Sequence, residues 1–510
     1  MKIILLVIYF AVLLGIGFKC RAKANSVDGF VLGGRSVGAW LTAFAYGTSY
    51  FSAVVFVGYA GQFGWKYGIA ASWAGIGNAL IGSLLAWTVL GRRTRLLSQH
   101  LNASTMPEFF GRRFDSKALK LVASVIIFVF LVPYTASLYN GLSRLFGMAF
   151  SIDYSVCILL MSVLTAIYVI AGGYMATAVN DFIQGIIMLF GLVAVIAAVI
   201  LSKGGLTVAL DSLARVSDPA VSTTPGVFAS FFGPDPLNLL FVVILTSLGT
   251  WGLPQMVQKF YAIKNEDAIR KGTVISTLFA FVIAGGCYFL GGFGRLFGDR
   301  VDIAKDGFDA IIPAMLSDLG PGLIALTVIL VLSASMSTLS SLVITSSSTL
   351  TSDFIKESFA KRMQPKTEVL VIRLFVVVFI AISAVLAMVQ HKSSVTFIAQ
   401  LMGVSWGALA GSFLAPFLFS LYWKGTTKIA CWASFIFGSG LMLVDMFARS
   451  SLPEIMRSPI NCGAIAMLAG FVIVPLVSVF TKAPDRRFTD RLFECYERPR
   501  QTAAKRALGD

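Results

Sequence analysis

The sequence predicts an all-α polytopic membrane protein with about 13 transmembrane helices. Of its 510 residues, 57% are hydrophobic and only 13% are charged, and the charges cluster in short runs between long apolar stretches. A soluble domain carries about 25% charged residues, whereas a helix needs roughly 20 mainly apolar residues to cross the hydrocarbon core of a bilayer. The composition therefore excludes a soluble enzyme, a disordered chain and a disulfide-rich secreted module.

The apolar stretches give the predicted spans in chain order. They lie near 2–18, 38–63, 67–90, 119–148, 154–174, 180–201, 237–257, 272–297, 320–349, 370–390, 395–422, 428–447 and 461–480. The first is interpreted as an uncleaved helix and not as a signal peptide, because the basic residues Lys19, Arg21 and Lys23 follow it and resist translocation.

The distribution of basic residues predicts the orientation. When residue 1 is placed outside, the loops of one side and the tail hold 30 of the 41 Lys and Arg residues, and the positive-inside rule makes that side cytoplasmic. The net charge of +16 is then a topology signal and no nucleic-acid partner is predicted. We expect a multi-pass protein of the plasma (inner) membrane, in contact with the lipid bilayer, with its amino terminus outside and its carboxy terminus in the cytoplasm.

Chemistry that needs a metal cluster or a nucleophile has few candidate residues. The six cysteines are far apart and form no CxxC pair, and the chain has two histidines. We therefore predict no enzyme activity, no transition metal and no cofactor.

The second span combines hydroxyl side chains with glycines. Its segment from Thr48 to Gly61 begins with Thr-Ser-Tyr-Phe-Ser and ends with two glycines, Gly58 and Gly61, at mid-depth. This pattern indicates a break in the helix, which would free carbonyl groups for a cation and amides for an anion. The alternative is that small residues allow close helix packing.

The ninth span carries a stripe of hydroxyl side chains. Ser337, Thr338, Ser341 and Thr345 recur at spacings that place them on one helical face. Single hydroxyls can simply bond to their own helix, but a whole stripe of oxygens favours a hard monovalent cation such as Na⁺.

Asp181 is the third departure from an apolar span. An ionisable group inside a span is costly and is a functional candidate by default. Because the sixth span is predicted to begin near Asn180, Asp181 is equally suited to be the N-cap of that helix.

Several strings resemble the sodium/solute symporter family, whose members include bacterial proline, pantothenate and sialic acid carriers. They occur in the family's order from about Phe30 to about Phe480. The strings are Gly33-Gly34-Arg35-Ser36, Met106-Pro107-Glu108-Phe109-Phe110-Gly111, Gly172-Gly173-Tyr174, Asn180-Asp181-Phe182-Ile183-Gln184-Gly185, Gly252-Leu253-Pro254-Gln255 and Ala334-Ser335-Met336-Ser337-Thr338.

The resemblance implies a leucine-transporter-like core of two inverted five-helix repeats. It divides the chain into a first helix with its cytoplasmic loop, the first repeat (spans two to six), an extracellular loop, the second repeat (spans seven to eleven), two peripheral spans and a basic cytoplasmic tail. These parts cover 1–36, 37–202, 203–236, 237–423, 424–481 and 482–510.

The resemblance also implies the cation sites. In this family the principal Na⁺ is bound by two carbonyls of the broken helix and by an Ala-x-x-Ser-Thr motif. These positions are Thr48, Phe51, Ala334, Ser337 and Thr338. Some members hold a second cation, at positions that are Asp181, Ser340 and Ser341 in this chain.

The solute is less closely defined. Sugar carriers of the family have Glu-Gln where this chain has Val54 and Val55, and proline carriers have Asp where it has Tyr50; the carboxylate-binding Thr of the sialic acid carriers falls on Val55. The predicted substrate-binding residues are Ser49, Tyr50, Ser52, Val55, Trp251 and Gln255. Such a pocket favours a small, partly apolar solute with one carboxylate, such as pantothenate or proline.

We therefore predict a secondary active transporter that performs sodium-coupled symport of a small organic solute by alternating access. Na⁺ is the coupling ion, and the partners are the solute and Na⁺. The alternatives are a proton-coupled symporter of the same fold and a transporter-like solute sensor. The oligomeric state is not predicted.

Overall fold

A computed structural model describes residues 2–150, 153–392 and 398–497. Within these ranges the chain is helical, with short loops and no strand longer than an isolated bridge. The main helices are α1 (Lys2–Lys19), α2 (Ala39–Tyr50), α3 (Val54–His100), α4 (Lys117–Phe150), α5 (Tyr154–Ser202), α6 (Pro236–Gly252), α7 (Pro254–Ala262), α8 (Glu266–Gly292), α9 (Pro321–Phe359), α10 (Pro365–Lys392), α11 (Ile398–Tyr422), α12 (Lys428–Phe447) and α13 (Pro459–Phe480).

Nine helices of the described ranges are long and apolar enough to cross a membrane, or ten when the bent pair α6–α7 counts as one span. Two of them, α3 and α5, have 47 and 49 residues. At 1.5 Å per residue each would measure about 70 Å, which is more than twice the thickness of the hydrocarbon core. Glycines with positive φ, Gly68 in α3 and Gly173 in α5, interrupt both. The polytopic class is confirmed, and the count of 13 spans stays a prediction.

The predicted second span is broken, but before its glycines. Helix α2 ends at Tyr50, Phe51 is extended (φ −96°, ψ 109°), and helical structure resumes at Val54. The predicted break in the segment from Thr48 to Gly61 is therefore present, but not at the glycines that suggested it, because Gly58 and Gly61 are both helical. Gly61 serves close packing instead: a Cβ atom there would lie 3.0 Å from the carbonyl oxygen of Phe308.

The seventh predicted span is broken where the sequence predicts. Leu253 is extended (φ −79°, ψ 123°), Pro254 opens α7, and α6 and α7 meet at 45°. Proline suits this position because it lacks an amide proton, which the first residue of a helix does not need for a helical hydrogen bond.

Asp181 lies inside a helix and not at its start. Gly173 (φ 55°, ψ −153°) kinks α5, and Asp181 follows it by eight residues, more than two helical turns. Only the first four amides of a helix lack partners within it, so a residue this far along has no free amides to cap. The N-cap interpretation of Asp181 is therefore wrong.

Four helices enclose the centre of the bundle. Helix α9 packs along α5, α2 packs against both, and α7 contacts α2 and α9. Every residue of α2 from Thr42 to Tyr50 is buried. The two chain breaks, the hydroxyl stripe of α9 and Asp181 are thus carried by neighbouring helices.

Candidate cation and substrate sites

The break after α2 faces the hydroxyl stripe of α9. The Ser337 hydroxyl Oγ lies 3.0 Å from the Thr48 carbonyl oxygen and 3.0 Å from that of Ala334. The Thr338 Oγ1 atom lies 3.0 Å from the Thr48 carbonyl oxygen, 3.4 Å from that of Phe51 and 3.1 Å from that of Ala334. The structure therefore brings together all five residues predicted for the principal cation site.

The local backbone explains why these oxygens are available. The last carbonyls of a helix have no intrahelical partner, and the extended Phe51 stops α2 before an amide can reach Thr48. On α9 the two hydroxyls share the Ala334 carbonyl one turn earlier. The result is a buried group of five neutral oxygens, a donor set that suits a hard cation of single charge.

Asp181 reaches the same region from α5 but has a different setting. The side chain is fully buried, and neither carboxylate oxygen has a hydrogen-bond partner among the described residues. Ser340 donates to the Ser337 carbonyl, 2.9 Å away, and the Ser341 Oγ lies 2.9 Å from the Ser49 Oγ. The three residues predicted for a second cation come from the two helices that pack along each other.

Lys259 is a functional candidate that sequence reasoning missed. The predicted seventh span ends at residue 257, which places this lysine among the cytoplasmic loop residues. Helix α7 continues to Ala262, and Lys259 is 1% exposed. Its Nζ donates to the Ser341 Oγ over 3.0 Å, and its charge interacts with that of Asp181. The apolar residues after it, Phe260 to Ala262, are the signal that could have extended the span.

A small closed cavity lies beside the break. It has no room for a water molecule, and it contains two of the predicted substrate-binding residues, Tyr50 and Val55. The remaining lining residues are Phe51, Tyr59, Asn78, Thr246, Tyr288, Met402 and Trp406. Most of them are not predicted from the sequence because they come from four helices, α3, α6, α8 and α11, and each looks like an ordinary core residue by itself.

The other predicted substrate-binding residues have separate settings. Ser49 donates to the Ala45 carbonyl, and the Ser52 Oγ accepts from the Val54 amide over 3.2 Å. The Trp251 indole donates to the Ile81 carbonyl over 2.9 Å and does not line the closed cavity. Gln255 is fully buried, and its amide has no hydrogen-bond partner in the described part of the chain.

A larger cavity of about 960 Å³ lies one helical turn from the closed one. On α3, Phe63 lines the large cavity and Tyr59 the closed one; on α6, Val242 and Thr246 are divided in the same way. Residues four apart lie on one helical face. The two cavities are therefore consecutive along the same pair of helices.

The fold is shared with solved structures of ion-coupled secondary transporters. A solved structure of a Na⁺-coupled sialic acid symporter, in a substrate-bound outward-open state, aligns with a TM-score of 0.70 at 16% identity, covering 95% of this chain and 99% of that one. An Eremococcus coleocola manganese transporter aligns with a TM-score of 0.51 at 12% identity, over 91% and 96% of the two chains. These likenesses show the leucine-transporter-like fold.

The chain belongs to the sodium:solute symporter family, whose profile matches residues 30–438. It is 28% identical over 500 residues to the osmoregulated proline transporter OpuE of Bacillus subtilis, covering 97% of this chain and 98% of that one. It is also 28% identical over 493 residues to a sodium/proline symporter of Staphylococcus aureus, covering 94% and 93%.

Family membership confirms the predicted fold class and the predicted transport function at the level of sodium-coupled symport. The chain is an integral membrane transporter and not an enzyme, and Na⁺ is the coupling ion of its family. The solute, the individual site residues, the repeat boundaries and the orientation stay predictions.

Proposed function

We propose that this chain imports a small organic solute together with Na⁺, which binds between the break of α2 and the stripe of α9. The single observation that carries the proposal is the group of five neutral oxygens from these two helices, in which the Ser337 and Thr338 hydroxyls approach three carbonyl oxygens, those of Thr48, Phe51 and Ala334, within 3.0–3.4 Å. A cation there ties the broken helix to α9. Its release would free the two helices to separate, which is what alternating access requires.

For the solute we propose a small, partly apolar molecule with one carboxylate, with L-proline as the first candidate. The relatives in Bacillus subtilis and Staphylococcus aureus are named as proline transporters. The closed cavity is small and lined largely by aromatic and apolar side chains, and the unpartnered Gln255 amide lies on the helix that opens at the second break. Tyr50 replaces the aspartate of the family's proline carriers, and for this reason pantothenate and short monocarboxylates are also candidate solutes.

The proposed path runs from the large cavity to the closed one. The lining of the large cavity includes Lys66 and Asp235, which lie in loops predicted to face outside, and Arg295, which lies near the outer end of the eighth predicted span. This arrangement fits an amino terminus outside, a carboxy terminus in the cytoplasm and inverted repeats over 37–202 and 237–423. Entry from the outside would then follow the shared faces of α3 and α6.

Proton coupling is the second candidate because two ionisable groups, Asp181 and Lys259, are buried beside the hydroxyl stripe. A proton-coupled carrier needs such a group to gain and lose a proton during the cycle. The five-oxygen cluster contains no ionisable side chain, and for this reason we favour Na⁺.

A thermal-shift series tests the proposal and ranks the solutes. Purified protein is heated in NaCl or in choline chloride at equal ionic strength, with L-proline, pantothenate, lactate or sialic acid. A ligand that binds only the folded state raises the melting temperature. We expect NaCl to raise it, and one solute to raise it further only when Na⁺ is present. Equal melting in the two salts, with every solute, would contradict the proposal.

A further inference from the structure

A buried ammonium group contacts Ser341, one of the three residues predicted to bind the second cation. Lys259 is 1% exposed and donates to the Ser341 Oγ over 3.0 Å. Its Nζ also lies 4.9 Å from the centroid of the Tyr174 ring, a favourable distance for a cation over an aromatic face. Lys259 comes from α7, while Ser341 and Tyr174 come from α9 and α5.

The hydrogen bonds around Ser341 run in one direction. Ser49 donates its only hydroxyl proton to the Ala45 carbonyl, so the Ser49 Oγ accepts from Ser341. The Ser341 proton is thereby used, and its lone pair accepts from Lys259. A chain of hydrogen bonds thus runs from the Lys259 ammonium to α2 just before its break, through the oxygen that a second Na⁺ would need.

Asp181 has one positively charged neighbour among the described residues. Its two oxygens have no hydrogen-bond partner in the described ranges, and the charge of Lys259 acts on them without a direct ion pair. The other groups close enough to interact with Asp181 are phenols, Tyr9, Tyr168 and Tyr174. A Na⁺ at Asp181 and Ser341 would put two positive charges against one carboxylate in a site of low polarity, where like charges repel strongly.

We propose that the Lys259 ammonium is a tethered cation that fills the second cation site, so that the transporter binds one Na⁺ and not two. Of the residues predicted for that site, Ser341 then accepts a hydrogen bond from a permanent part of the protein, and Asp181 interacts with its charge. This inference rests on the proposed sodium coupling at the principal site. It assigns Lys259 as a residue that sets the stoichiometry of coupling.

Equilibrium binding of ²²Na⁺ to the purified protein tests the proposal, with Na⁺ itself as the probe. We expect one ion at saturation for the wild type and for Lys259→Arg, which keeps the charge. Lys259→Met removes the charge at similar length, and we expect it to bind two ions. Adding Asp181→Asn to Lys259→Met should return the count to one.

Two results would overturn the inference. One is that the wild type binds two Na⁺ ions at saturation. The other is that a Lys259→Met variant that melts cooperatively, and is therefore folded, binds only one. If Lys259→Met does not fold, the Asp181→Asn variant alone decides. If Lys259 fills the second site, this variant binds as many Na⁺ ions as the wild type. If Asp181 binds Na⁺, the number of bound ions falls from two to one. If the wild type binds no Na⁺ at all, the result would instead contradict the proposed function.

Discussion

The Thr338 hydroxyl contacts three carbonyls at once, those of Thr48, Phe51 and Ala334. Thr338→Ala removes this oxygen: the Thr48 carbonyl keeps its contact with Ser337, but the Phe51 carbonyl loses its side-chain partner. Stranding a buried polar group costs about 1–3 kcal/mol, and we expect a roughly 5- to 150-fold higher Na⁺ concentration for half-maximal uptake. The measurement is solute uptake into proteoliposomes as a function of external Na⁺.

Ser347→Ala is the matched control for that variant. Ser347 is buried on the same helix, and its hydroxyl has no hydrogen-bond partner in the described part of the chain. Its removal strands nothing, so the Na⁺ dependence should be unchanged. If Thr338→Ala has the sodium dependence of Ser347→Ala, Thr338 is not a Na⁺ ligand.

Asp181 and Lys259 should behave as a coupled pair. Asp181→Asn leaves the buried ammonium without its counter-charge, and we expect severely lowered uptake while the protein still reaches the membrane. Lys259→Gln made together with Asp181→Asn removes both charges. The double variant should therefore lose less unfolding free energy than the two single variants lose when their losses are added. Interacting residues show coupling of roughly 0.5–3 kcal/mol, which thermal unfolding in detergent would measure.

Asp445→Asn provides the control for this cycle. Asp445 is also a fully buried carboxylate in a span, but it pairs with Arg449 at 3.2 Å. Combined with Lys259→Gln it should be additive. Equal coupling energies in both cycles, or normal transport by Asp181→Asn, would show that Asp181 and Lys259 do not act as a coupled pair.

Residues that belong to a short, recognisable motif could be predicted from the sequence. Ser337 and Thr338 could be predicted because hydroxyls at helical spacing stand out in an apolar span. Lys259 is not among them, because a lysine shortly after an apolar run is usually a loop residue on the cytoplasmic side, and the three residues from Phe260 to Ala262 are a weak signal against that interpretation. Its burial depends on where α7 ends, and helix ends are set by tertiary contacts that composition does not show.

At the scale of elements, the two breaks show what glycine and proline predict. Proline fixes its own φ angle, so Pro254 predicts the position of the second break to within one residue. Glycine only permits unusual geometry or close approach, and Gly61 is used for approach. The first break at Phe51 has neither residue and is held by a contact across the bundle, from the Ala53 amide to the Ser335 Oγ at 3.1 Å.

The crossing of α3 and α8 should tolerate no added side chain. A Cβ atom at Gly291 would lie 2.1 Å from the Ala60 carbonyl oxygen, so Gly291→Ala forces the helices apart. We expect a loss of about 1–3 kcal/mol and a lower melting temperature in detergent. Gly285→Ala on the same helix meets nothing within 4 Å and should melt like the wild type. Equal melting of both variants would contradict this packing.

The helix that opens at Pro254 should present Gln255 to the solute. We expect a cysteine at position 255 to react with a thiol reagent in choline chloride and to be protected by saturating Na⁺ plus L-proline. The background needs Cys20→Ser, because Cys20 is partly exposed while the other five cysteines are buried. Equal labelling of position 255 would place Gln255 outside the solute site.

At the scale of the whole molecule, the class could be predicted from composition, since only a bilayer accommodates this proportion of apolar residues. The number of spans could not be fixed in the same way. Long helices such as α3 and α5 run through positive-φ glycines, and each is divided by backbone geometry and not by polar residues. The closed cavity was also beyond the sequence, because its lining is assembled from residues far apart in the chain.

Sodium coupling is the central claim, and uptake driven by one gradient at a time tests it most directly. Proteoliposomes containing the wild-type protein receive radiolabelled L-proline, pantothenate, lactate or sialic acid under an inward Na⁺ gradient at equal pH on both sides. A parallel set has choline in place of Na⁺ and an inward proton gradient. We predict that one of these solutes accumulates in the Na⁺ set and that none does in the choline set. Accumulation driven by the proton gradient without Na⁺, or uptake that is the same in both sets, would contradict the account.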